Sequence, residues 1–415
     1  MLRVLSVFLF SYFAFRQCVY ANGRNAWNSA EELKAKLIEV GASPDYYWAW
    51  TYPWLNHGGW KGDMKNVVEK DGAFKPKPLD DIVLQCRYQE YSDGRRAIVN
   101  YADLASLAGT WHPERYYKVN RAGMTAAIRK QWDEFRGVMV FGWHMDHPYC
   151  TNGFRAASYR FKSEGENRNV IRQILDGSGM PCGTGSITGK TEREPFPNPG
   201  EWFNASLKDV ADFFNGLVDE KTGNKIPVIL RYPHEMDGNW FWWGRSWCTP
   251  EEFRAFCRKQ ADYLRKMCPG QILFAYTPDK TWNDFGNEGD TGNTFLAYYP
   301  GDKYVDIIGI DDYSIGHGDD TKVEKALTET VRKLRLLTEF AESRKQAVVI
   351  SEAGGKNKRK DFWSFLHRAA TAKGVKCAFA NTWAGEWGTV PETPQEAENQ
   401  KDFTSNPSVL MEQKK

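Results

Sequence analysis

The sequence predicts an α/β fold, a single closed (β/α)8 TIM barrel with long βα loops. Eight short runs rich in β-branched and apolar residues alternate with amphipathic stretches of helical spacing, the pattern of a parallel sheet with helical crossovers. No composition break, internal repeat or low-complexity tract divides the 415 residues. Length beyond the roughly 250 residues of an ordinary barrel therefore falls to the loops. A doubly wound open sheet, the rival architecture, lacks its Gly-x-Gly-x-x-Gly turn after an early strand.

In chain order the expected strands are Tyr46 to Trp50, Asp81 to Gln85, Val138 to Trp143, Pro227 to Arg231, Ile272 to Tyr276, Val305 to Ile310, Ala347 to Ser351 and Lys376 to Thr382. Apolar residues recur at helical spacing in Glu31 to Glu39, Met124 to Phe135, Phe203 to Val218, Pro250 to Met267, Lys322 to Glu342 and Asp361 to Ala372. Pro250 with Glu251 and Glu252 after Thr249 is a helix start with its cap. The longest loop, near 148–199, contains a helix-like Glu166 to Asp176 and then the runs Gly177-Ser178-Gly179 and Gly183-Thr184-Gly185. From Pro391 onward, prolines and mixed polar residues read as a loosely held tail.

Residues 1–21 read as a secretory signal peptide. Arg3 is followed by an uncharged apolar run from Val4 to Phe15, too short to span a bilayer, and Val19 and Ala21 stand at small-residue cleavage positions. The expected mature chain, 22–415, is one catalytic domain, secreted and extracellular. Charge excludes generic polyelectrolyte partners: Lys and Arg total 55 against 53 Asp and Glu, so neither nucleic acid nor membrane is expected. The 17 Trp, 19 Tyr and 24 Phe exceed what packing alone requires and point to a flat, partly polar ligand. An oxidising compartment permits disulfides. Cys150 with Cys182 brackets the Gly-rich excursion, and Cys257 with Cys268 is a second pairing. Asn204-Ala205-Ser206 is a glycosylation sequon, usable if the host glycosylates.

Chemistry in such a barrel sits where strands end and loops begin at the carboxyl face. The fourth strand delivers Glu235 and the seventh Glu352, each followed by glycines that leave room for a ligand. Cleaving a glycosidic bond needs one carboxyl that protonates the leaving oxygen and one carboxylate facing the developing oxocarbenium ion. Two acids on opposite strands are that minimum equipment. A lone rim glutamate is as readily a salt-bridge partner, so the weight rests on the pair.

The run Arg231-Tyr232-Pro233-His234-Glu235-Met236-Asp237-Gly238-Asn239-Trp240-Phe241-Trp242-Trp243-Gly244 resembles glycoside hydrolase family 26, whose best-known members are endo-β-1,4-mannanases. Phe141-Gly142-Trp143-His144, Val305 through Tyr313, and Ser351-Glu352-Ala353-Gly354 agree in order, and the likeness covers about residues 45–390. The resemblance implies a retaining mechanism with Glu235 as acid/base and Glu352 as nucleophile. The chain departs from the family's common pattern at Asp146-His147-Pro148, where Asn-Pro is usual, and at Asp237, where Asn is usual. Its insertion near 148–199 is also long, and closing one end of the cleft with it would favour action at chain ends.

By the same resemblance His234 organises the nucleophile's side of the site, and Tyr313 donates its hydroxyl to Glu352 and helps keep it ionised. Trp240 and Trp383 are read as sugar platforms, and His144 as a hydrogen-bond donor to a sugar beside the cleavage point. A zinc reading of His144, His147 and Cys150 matches no common ligand spacing, so no metal and no cofactor are expected. Nor does any Gly-x-Ser-x-Gly elbow provide a serine nucleophile. The expectation is a monomeric, secreted endo-β-1,4-mannanase acting on mannan, glucomannan or galactomannan. Alternatives are the same machinery on β-1,3-xylan or mixed-linkage glucan, a mannobiose-releasing exo enzyme, or a non-catalytic carbohydrate-binding barrel.

Overall fold

The computed structural model describes residues 27–51, 67–70, 73–76, 95–108, 114–145, 147–149, 169–183, 194–287, 289–355, 357–383 and 394–413. The expected signal peptide and the run Asp81 to Gln85 lie outside them. Eight parallel strands form the barrel: β1 Tyr46–Thr51, β2 Val99–Asp103, β3 Val138–Gly142, β4 Val228–Arg231, β5 Ile272–Tyr276, β6 Ile307–Asp311, β7 Ala347–Ala353 and β8 Cys377–Thr382. Each pairs with its successor, and β8 returns to β1, Tyr47 opposite Phe379 and Trp50 opposite Thr382, closing the cylinder.

Seven strands fall where the sequence places them; the second does not. The position between β1 and β3, expected for Asp81 to Gln85, is held by Val99–Asp103. Asn100 and Asp103 interrupt its apolar run, yet both are buried and bonded. The Asn100 amide donates to Gln131 Oε1 at 3.0 Å, and the Asp103 carboxylate accepts from the backbone of Ala105 at 2.8 Å. A strand whose polar side chains serve the barrel interior carries no uniform hydrophobic signature.

Eight α-helices are described: α1 Ala30–Ala42, α2 Glu114–Phe135, α3 Val170–Asp176, α4 Pro199–Asn215, α5 Pro250–Met267, α6 Asp320–Glu342, α7 Phe362–Ala370 and α8 Pro394–Ser405. Their starts follow local chemistry. Asn198 caps α4 with Pro199 in its first turn, Asp319 caps α6, and Thr249 with Glu252 forms a reciprocal capping box on α5. α5 turns Phe253, Phe256, Cys257, Ala261 and Leu264 inward. There Phe256 packs on Phe203 of α4 with ring centroids 4.7 Å apart, one patch of the layer between helices and barrel.

Within the insertion near 148–199, α3 ends at Gly177, whose φ of 76° suits a residue without a side chain. Arg172 pairs with Glu252 of α5 at 2.6 Å, and Asn169 donates to the same carboxylate at 2.8 Å. The sequon lies inside α4, where the buried Ser206 hydroxyl donates to Trp202 O at 2.9 Å.

Two further expectations are corrected. The tail is docked: Phe403 of α8 packs on Trp363 of α7 with centroids 4.9 Å apart, and the strand Val409–Gln413 pairs with the start of β1 and with Arg95–Ala97. Pro394 opens the helix instead of breaking it, the one helical position where the missing N–H goes unneeded. The Cys257 to Cys268 pairing also fails, since both are free thiols. Eleven residues along a helix separate them by roughly 16 Å at 1.5 Å per residue, far beyond disulfide reach. Cys150 lies outside the described residues.

Candidate active site

β4 ends at Arg231, and the chain turns through Tyr232, Pro233 and His234 to Glu235. Glu235 has a φ of 53°, one of four non-glycine residues described in the left-handed region. This conformation costs an L-residue roughly 1–2 kcal/mol and persists only where the surroundings over-determine it. Two backbone bonds do so: Glu235 N–H donates to Thr277 O at 3.2 Å, and Gly238 N–H donates to Glu235 O at 3.0 Å. The side chain is 8% exposed and accepts the indole N–H of Trp240 at 2.5 Å.

β7 delivers Glu352, 2% exposed. Its register shifts against both neighbours just before the glutamate, a local irregularity that re-aims the side chain into the barrel mouth. Three donors converge on the carboxylate: the Arg231 guanidinium on Oε1, and on Oε2 the Tyr313 hydroxyl at 2.5 Å and the Trp383 indole N–H at 2.7 Å. Such donors stabilise negative charge. Arg231 also bonds Asp311 at the end of β6, donates to Thr277 Oγ1 at 2.6 Å and reaches the Tyr101 hydroxyl at 3.2 Å. Gly142 makes this possible, because a Cβ there would overlap the Tyr101 phenol oxygen. Asp311 is fixed by the Ser351 hydroxyl at 2.5 Å.

Glu235, Asp311 and Glu352 thus converge from three strands, with one carboxylate oxygen of each within 4.8 Å of the others. Burial pushes the Glu235 carboxyl well above the usual range. The negative charges of Asp311, Glu352 and Asp279 push the same way, and Arg231 partly opposes them. Glu235 is therefore set up to hold a proton beside the charge-stabilised Glu352. Three acids this close also resemble a metal cluster, but the Arg231 guanidinium already bridges Asp311 and Glu352 and supplies the cation. Burial and Asp279 push Asp237 up to about 7, and burial and Asp312 push Asp279 up to about 6.

The other expected site residues lie in the same mouth. His144, after β3, is bonded through Nδ1 to Asp103 and sits with Nε2 3.1 Å from His234 Nε2. The His144–His234 contact joins the two imidazoles through their Nε2 atoms, with the direction of donation set by their tautomers. His234 also packs against Phe241 and Trp243, with ring centroids at 5.0 and 6.0 Å. Trp240 and Trp383 each turn an indole N–H onto one of the two glutamates. His147 is buried, and burial lowers its imidazole to about 4. Sequence reasoning assigned no role to Arg231, Asp311, Thr277, Tyr101 or Asp103. Arg231 and Asp311 lie in the family-like motifs, and the signal available was a charged residue at the last position of an apolar strand.

Comparison with known proteins finds related sequences and folds. Residues 193–387 match the profile of Glycosyl hydrolase family 26. A mannan endo-1,4-beta-mannosidase of Bifidobacterium adolescentis is 31% identical over 180 residues, 40% of this chain and 17% of that protein. One from Bacillus subtilis strain 168 is 31% identical over 121 residues, 28% of this chain and 30% of that protein. The matches thus span well under half of either relative's length. Among solved structures, GH26C of a Muricauda species superposes with a TM-score of 0.66 at 22% identity, covering 92% of both chains. A GH26 beta-mannanase of Bacteroides ovatus gives 0.63 at 19%, covering 93% of this chain and 95% of that one. These likenesses support the barrel. The matched residues 193–387 carry both glutamates, so over this part the chain is similar to Glycosyl hydrolase family 26.

Proposed function

We propose that the chain is a secreted, monomeric endo-β-1,4-mannanase that cleaves internal bonds of mannan, glucomannan or galactomannan with retention of configuration. The observation that carries this is the approach of Glu235 and Glu352, with carboxylate oxygens within 4.8 Å. An approach this close supports the retaining arrangement, in which the two carboxyl groups stand about 5–5.5 Å apart, over the inverting one at about 6.5–9.5 Å. Glu352, its charge spread over the Arg231, Tyr313 and Trp383 donors, attacks the anomeric carbon. Glu235 gives its proton to the leaving oxygen, then takes one from the water that resolves the glycosyl enzyme. His144, His234, Trp240, Tyr313 and Trp383 form the sugar-facing wall. The naming of similar proteins as mannan endo-1,4-beta-mannosidases supports the substrate, and the apolar leader supports secretion.

Glu235→Ala and Glu352→Ala are each expected to lose on the order of a thousandfold or more in kcat on mannan while the fold survives. Reducing-sugar release by the purified variants, with circular dichroism, checks this; near-normal hydrolysis by either would refute the assignment. Assays on mannan, glucomannan, lichenan and β-1,3-xylan, with product sizes followed over time, test the substrate and the endo mode. Binding to insoluble mannan without released oligosaccharides would instead mark a carbohydrate-binding barrel.

A further inference from the structure

We propose that Asp237 is a positioning residue for the acid/base: its buried carboxylate latches the left-handed turn at Glu235 onto the loop after β5, and so fixes where the Glu235 carboxyl sits. This rests on the glycosidase reading of Glu235.

The backbone ladder between β4 and β5 runs on past the strands. Tyr232 N–H donates to Ala275 O at 3.0 Å, and Glu235 N–H donates to Thr277 O at 3.2 Å. At the next step the left-handed turn carries the main chain away, and a side chain takes over. The Asp237 carboxylate accepts the Asp279 N–H on Oδ1 and the Thr281 hydroxyl on Oδ2, both at 2.8 Å. The positive φ at Glu235 is thus tied on both sides, two residues apart along each of the two loops.

The partner loop is itself anchored. Asp279 bridges to Asp311, Lys280 pairs with Asp312 at 3.1 Å, and the buried Lys333 of α6 donates to the carbonyl oxygens of Lys280 and Trp282. Asp237 is almost fully buried, and burial keeps its carboxyl near neutrality, an unfavourable setting for an acid whose only task is packing. The charged and titratable groups facing Glu235 are Arg231 from β4, Asp279 from the loop after β5, Asp311 and Tyr313 from β6 and its loop, and Glu352 from β7. A displaced turn would move the carboxyl relative to all of them.

The test compares wild type with D237A, D237N and T281V on mannotetraose, whose leaving group needs protonation, and on 2,4-dinitrophenyl β-mannobioside, whose leaving group does not. D237A is expected to lose about 30-fold or more in kcat/KM on mannotetraose, with less than about threefold lost on the aryl substrate. The alkaline limb of its pH profile should move down as Glu235 leaves its buried place. Asn keeps an acceptor for Asp279 N–H and offers Thr281 a donor, so D237N should recover most of the loss. T281V, which removes one latch, should fall between and serves if D237A does not fold. Equal losses on both substrates, or no rescue by Asn, would overturn the proposal. If the wild type turns over neither substrate, the glycosidase reading fails separately. A 13C carboxyl titration of Glu235, assigned against E235Q, then decides: a lower midpoint in D237A than in wild type supports the latch, and an unchanged one overturns it.

Discussion

Arg231 answers two buried carboxylates at once, Asp311 on one nitrogen and Glu352 on another. A planar guanidinium does this in a fixed fork that lysine cannot reproduce. Among the described residues neither Asp237 nor Asp279 has a guanidinium partner, and burial raises both. A carboxyl that keeps its proton longer when folded stabilises the protein below its unfolded value near 4. That contribution fades as pH rises to about 7 for Asp237 and about 6 for Asp279. Tyr276, Tyr298 and Lys333 face Asp237 from β5, the turn before β6 and α6. Asp237→Asn, neutral throughout, should therefore melt higher relative to wild type at pH 8 than at pH 4.5; differential scanning calorimetry at both pH values checks it. At this scale the sequence was legible where chemistry coincided with strand ends. Glu235 and Glu352 were found because each follows an apolar strand and precedes glycine. Arg231 lies in the same motif as Glu235, but spacing alone does not say that its side chain crosses the barrel. The indoles of Trp240 and Trp383 were read as faces for sugar, and the N–H edges that meet the two glutamates are a matter of rotamer, which sequence does not encode.

The elements show a similar division. Strands such as Val228–Arg231 and Ile272–Tyr276, buried at every residue, announce themselves as apolar runs. β2 does not, because Asn100 and Asp103 face partners rather than solvent. The docked tail was illegible for another reason: its polar composition is ordinary for a surface helix, and what fixes it is a partner. Phe403 packs on Trp363 and on Tyr46, and Asn406 meets His367 at 3.2 Å. Phe403→Ala should cost about 3–5 kcal/mol, seen as a lower melting temperature, with kcat retained because the contact lies away from the mouth. A loosely held tail would give no shift.

For the molecule as a whole, acids and bases nearly cancel, 53 against 55, and long-range steering by net charge is weak. The mouth is different. There the Arg231 guanidinium is bonded to both Asp311 and Glu352, buried carboxyls beside the place an anomeric centre would take, and burial pushes Asp311 above the usual range while Arg231 opposes it. A field so enclosed is screened little by dissolved ions, since its source and target are closer than a Debye length of about 10 Å at 0.1 M salt. A mannose-configured iminosugar, cationic at the anomeric position, should therefore inhibit more strongly than its uncharged lactam, and its inhibition constant should change less than about threefold between 0.05 and 0.5 M sodium chloride. A steep salt dependence would mean that attraction arises from the outer surface instead. Under the proposed function, the barrel rim is a receptacle tuned to a fleeting carbocation, hidden inside a particle that looks electrically indifferent from afar.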